Sequence, residues 1–91
     1  MITNSDIIEV LRSHITAGKR VAVGQIHKIV ADNWKLSEED WAPHPSEVDR
    51  GSDYPGWKRK VQAVLHALKL AHKVQHDPDE HEYIFDSSSF D

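Results

Sequence analysis

Cysteine is absent from this 91-residue chain. That excludes a disulfide scaffold, thiolate metal sites and thiol catalysis together. Long apolar runs are also missing, since no stretch approaches the roughly 20 residues that a bilayer-spanning helix needs. The opening MITNSDIIEV has neither the basic start nor the apolar stretch of a secretory signal, so a cytoplasmic protein with no membrane partner is expected. No internal repeat is present. A chain of this size buries one core, and seven aromatics (Trp34, Trp41, Tyr54, Trp57, Tyr83, Phe85, Phe90) are enough to anchor it.

Positive charge is in deficit, with 11 Lys and Arg against 15 Asp and Glu, but the net −4 hides a segregation. Residues 1–35 carry five bases and three acids, and residues 36–53 carry six acids against Arg50 alone. Residues 54–73 carry Lys58, Arg59, Lys60, Lys69 and Lys73 with no acid, whereas residues 74–91 carry six acids and no base. Binding to a polyanion follows local potential rather than the total, so an acidic chain with one basic helix remains a candidate for modest nucleic-acid affinity.

The periodicity predicts a first helix capped at Asn4 or Ser5 and ended at Gly18, with Ile7, Ile8, Leu11 and Ile15 on one face. A short β-branched run, Lys19 to Val23, reads as a strand, and a second helix follows over 24–33 with Ile26, Ile29 and Val30 inward. Ser37 and Asp40 are spaced as a capping box for one acidic turn. From Trp41 to Asp53, the prolines at 43 and 45 and the polar residues beyond predict a long loop. Pro55 suits the start of a third helix. Trp57, Val61, Val64, Leu65 and Leu68 form its apolar stripe, which puts Arg59, Gln62, His66, Lys69 and Lys73 near the opposite side and Lys58 and Lys60 at its flanks. Residues 73–85 alternate as a hairpin around Asp77-Pro78-Asp79-Glu80. The expected fold is mainly α with a small antiparallel sheet: a winged helix-turn-helix over residues 1–86, with three helices and a hairpin wing that the short strand joins. Residues 87–91 read as a disordered tail.

The segment Pro55 to Ala71, PGWKRKVQAVLHALKLA, resembles the N-terminal winged-helix domain of Mrr-type restriction enzymes. That pattern runs tryptophan, basic residues, valine, then alanine-leucine and leucine-lysine-alanine. The stretch from Gly24 to Trp41 is similar to the family's second helix and the serine-acidic segment after it. Two positions depart from the pattern: His72 stands where the family usually has glycine, and the wing tip is acidic. The resemblance implies a DNA-reading module; the separate nuclease domain of those enzymes has no counterpart in these residues.

At the start of the third helix, Arg59 and Gln62 are the residue types that grip guanine and adenine through paired hydrogen bonds. Lys58, Lys60, Lys69 and Lys73 suit phosphates, and Ser52 and Tyr54 stand where a loop could donate to one. Each has an ordinary alternative. Exposed bases are common on any helix, and Trp57 on the apolar stripe reads as a core anchor. Arg50 reads as paired with Asp49 or Asp53, or else as a phosphate contact. Leu70 falls off the stripe, either under the wing or on a partner surface. His72, His76 and His81 lack the fixed set of ligands that zinc requires, so neither metal nor cofactor is expected. No nucleophile elbow or phosphate-cradling glycine loop points to an enzyme. The leading expectation is a recognition module for double-stranded DNA, in a restriction system or as a small transcriptional regulator. So small a footprint would suit a homodimer or association with a nuclease domain or subunit. The rival is a protein-interaction domain whose acidic segments bind a basic partner, as a DNA mimic would.

Overall fold

The structure, a computed structural model, describes residues 1–86, 89 and 90. Helix α1 (Asn4–His14) is opened by Thr3, whose hydroxyl accepts from the Asp6 amide at 3.2 Å while the Asp6 carboxylate accepts from the Thr3 amide at 2.9 Å. The cap is therefore Thr3 and not Asn4 or Ser5. Of the three, only Thr3 has an acid three residues on, so only Thr3 can close a capping box. Beyond the helix Gly18 takes φ 83°, a conformation that side chains disfavour, and its amide donates to the Phe85 carbonyl at 2.7 Å. That bond fastens the turn to the sheet.

Strand β1 (Arg20–Ala22) leads directly into α2 (Val23–Asn33), where the Gln25 side chain accepts from the Ala22 amide at 3.0 Å. Helix α3 (Glu38–Trp41) is the expected acidic turn, with Ser37 and Asp40 in a reciprocal capping box. The segment read as loop then holds another helix, α4 (Pro45–Asp49), with proline in its first turn and the His44 ring accepting from the Ser46 amide. The described residues thus contain five helices rather than three. The two extra helices are short and sit inside the acidic segment.

Helix α5 (Gly56–Leu70) begins where the chain crosses back over residues 42–43. The Gly56 amide donates to the Ala42 carbonyl at 2.9 Å, and a β-carbon on Gly56 would stand 3.0 Å from that same oxygen. Strands β2 (Val74–Asp77) and β3 (Glu82–Phe85) form the hairpin, and β1 adds to β3, giving a three-stranded antiparallel sheet in the order β1-β3-β2. Arg20 faces Ile84 across one seam and His76 faces Tyr83 across the other. All five residues of the α5 stripe are buried, against Ile7 and Leu11 of α1, Ile26 and Val30 of α2, and Tyr83 and Phe85 of the sheet.

The C-terminal segment departs from expectation at two residues. Ser89 is buried, its hydroxyl donates to the Lys73 carbonyl, and Phe90 stacks on Phe85 at 5.5 Å. The Arg12 guanidinium also donates to the Phe90 carbonyl at 2.9 Å. Because Phe85 and Lys73 frame one end of the hairpin, Ser89 and Phe90 close over that end instead of fraying. The rest of the expected tail, residues 87, 88 and 91, lies outside the described residues. Among the described residues no helix is long and apolar enough to cross a membrane.

Candidate functional site

Helix α5 carries no acid over its fifteen residues. Its inner stripe is anchored by Trp57, which is 2% exposed and meets His27 and Trp41 edge-on at 5.6 and 5.4 Å. Trp57 is thus the core anchor that its spacing predicts, and Trp41 is only a partial one, at 49% exposure. On the outer side Arg59, Gln62, His66 and Lys69 are all exposed, at intervals of three and four that keep them in one line. Leu70, 66% exposed, ends the helix beside that line and does not lie under the hairpin.

The structure separates the three consecutive bases. Lys58 is half-buried, its ammonium 5.7 Å from the Trp57 ring. Beside it, burial and then the charge of Lys58 push the His27 imidazole below its ordinary range. Arg59 reaches towards α4, donating to the Ser46 hydroxyl and to the Glu47 carboxylate at 3.3 Å. Lys60 turns the other way and donates to the Ile2 carbonyl at 2.8 Å, tying α5 to the N-terminal segment.

Glu47 holds two cations. It also accepts from Arg50 at 2.7 Å, so the partner of Arg50 is Glu47 and neither Asp49 nor Asp53. The helical turn of α4 explains the difference, because it puts Glu47 three residues before Arg50 on one face. Tyr54 and Gln62 are brought together, the Gln62 amide donating to the Tyr54 hydroxyl at 2.7 Å. Burial and then Glu47 push the Tyr54 phenol up, and the Gln62 bond opposes them. The Ser52 hydroxyl accepts from the Tyr54 amide at 3.2 Å, which shapes the approach to α5. Lys69 stands in the last turn of α5. Lys73 follows at the entry to the hairpin, where its amide donates to the Leu68 carbonyl at 2.9 Å.

Two grooves flank the outer line. One, of about 460 Å³, runs between the start of α1, the α3–α4 link and α5; Met1, Ala42, Pro43 and Ala63 make it mostly apolar, with Arg59 and Lys60 also along its wall. The other, of about 520 Å³, lies between α5 and the hairpin and gathers Gln62, His66, His76, His81 and Tyr83. Sequence reasoning assigned no role to Glu47, which it counted only as one acid of a loop, nor to His66. The spacing 59, 62, 66, 69 was the signal available for His66. Among the described residues no group of three or more His, Asp or Glu is placed to hold a metal ion. Comparison with protein-family models, with curated proteins and with solved structures gives no match.

Proposed function

We propose that the chain is a winged-helix module that binds double-stranded DNA, with α5 entering the major groove and the β2–β3 hairpin acting as the wing over the neighbouring backbone. The observation that carries this reading is the outer line of α5. Arg59, Gln62, His66 and Lys69 stand exposed on a helix without a single acid, beside a hairpin joined by a third strand. In helix-turn-helix docking the N-terminal part of the recognition helix meets base edges, which gives Arg59 a guanine and Gln62 an adenine to read. Lys58 and Lys69 flank that stretch and take phosphates, Lys73 lies towards the wing, and Ser52 and Tyr54 support the approach loop. Lys60 serves the fold instead, through its bond to Ile2. The similarity of residues 55–71 to Mrr-type restriction enzymes favours a recognition module of a restriction system over a small transcriptional regulator.

The test is fluorescence anisotropy of a labelled duplex across a salt series. Three to four phosphate contacts predict that log K falls with log salt at a slope of about −3, and Arg59→Ala with Lys69→Ala lowers affinity by about tenfold at low salt. An unchanged affinity in the double variant, or no binding at low salt, refutes the reading. The apolar groove beside Met1 and Pro43 favours one other reading, a protein-docking surface. Loss of DNA binding in every arm would leave that one standing.

A further inference from the structure

The groove between α5 and the hairpin is unusual in what lines it. From α5 it receives Gln62, Leu65 and His66, from β2 His76, from the turn His81, from β3 Tyr83, and from α2 only Val23. Three imidazoles therefore share one cleft that, among the described residues, no carboxylate lines.

Strand geometry explains the separation. Successive residues of a strand face opposite sides, so His76 and Tyr83 share the side towards α5, while Asp77 and Glu82 face away. Both of those acids are held there by Arg20, at 3.0 and 3.2 Å. The remaining acids of the turn, Asp79 and Glu80, are exposed at its tip and are not part of the cleft wall. His76 lies flat on Tyr83, ring centres 4.5 Å apart, and its buried Nδ1 has no hydrogen-bond partner among the described residues. A buried polar atom left unpaired calls for an explanation. His81 is held at φ 53°, a conformation that Asn tolerates and most side chains do not.

Resting on the proposed DNA reading, we infer that this cleft seats a phosphodiester group of the bound strand, held by His66, His76 and His81, and that seating it takes up protons. A neutral imidazole offers one donor and a protonated one offers two and a charge, so an oxyanion in the cleft favours the protonated rings. Imidazole is the side chain whose charge changes near neutrality. Affinity for duplex DNA therefore rises as pH falls from 8 to 6, beyond what the fixed charges of Arg59 and Lys69 supply.

The experiment measures anisotropy of a labelled duplex at pH 8 and pH 6 at constant ionic strength, with the wild-type chain and with His66→Gln plus His81→Asn. Both substitutions fall on exposed positions, and circular dichroism at each pH verifies the fold. The wild-type chain binds about tenfold more tightly at pH 6. The double variant loses most of that gain, read as the ratio of its own affinities at the two pH values. Equal wild-type affinity at both pH values, or a gain retained by the double variant, overturns the cleft and leaves the α5 reading intact. No binding at either pH overturns both.

Discussion

Asp40 shows how one side chain can fix several elements at once. It is buried, yet its carboxylate accepts from the Ile2 amide at 2.9 Å and from the amide and hydroxyl of Ser37 at 2.9 and 3.1 Å. Burial pushes the carboxyl up, but the amides of Ser37 and Ile2, the Ser37 hydroxyl and the N-terminal ammonium together hold it below the usual carboxylate range. A capping residue visible in the sequence is thus also the anchor for the start of the chain, thirty-eight residues away. Asp40→Ala leaves the Ile2 and Ser37 amides without their acceptor. It is expected to lower unfolding free energy by about 2–3 kcal/mol in urea denaturation, more than the roughly 1 kcal/mol of an ordinary cap. A loss confined to the cap value would mean that the Ile2 bond contributes nothing.

At the scale of elements, α5 was fully legible because every residue of its apolar stripe repeats at helical spacing and is buried as that spacing requires. The hairpin was legible from alternation around a turn of Asp and Pro, and β1 from a short β-branched run whose place beside the hairpin followed from the expected element order. Helix α4 was not. Its five residues carry one apolar side chain, Val48, which is exposed, so no periodicity marks it. What holds it is the His44 cap, the Pro45 start and the contacts of Glu47, of which the one with Arg59 needs α5 in place. The packing of Ser89 and Phe90 was hidden for a similar reason, since it needs the finished end of the hairpin.

The candidate site follows this division. Arg59, Gln62 and Lys69 were legible as a face, whereas the carboxylate across from Arg59 was invisible because it arrives on α4. Glu47→Gln tests that element directly. Removing the charge releases Arg59 towards the base edge proposed for it, so duplex affinity is expected to rise about threefold at low salt. Unfolding free energy should change by no more than about 1 kcal/mol, as for other pairs whose cations are exposed. A fall in affinity would make Glu47 a positioning residue for Arg59 instead of a competitor for it.

For the whole molecule, extents of 37 × 28 × 20 Å leave no room for a second core, so α3 and α4 unfold with the rest. Stability should then follow pH through groups tied to that single core. His27 titrates below its ordinary range, chiefly because it is buried, so between its folded value and about pH 6.5 the unfolded chain binds more protons than the folded one. Stability is therefore complete above that window and declines as pH falls through it. Asp40, also held low, adds a second decline only below the ordinary carboxylate range. The expected profile is a thermal midpoint that drops as pH falls below about 6.5 and drops further under about pH 4, in one cooperative transition. His27→Gln flattens the first step and Asp40→Ala the second, each measured by calorimetry. Acid thus loosens the fold through His27, whereas the proposed cleft predicts tighter DNA binding in acid, and the opposite signs separate the two histidine environments. A midpoint that rose on mild acidification would mean that the folded chain favours a charged His27 in spite of its burial.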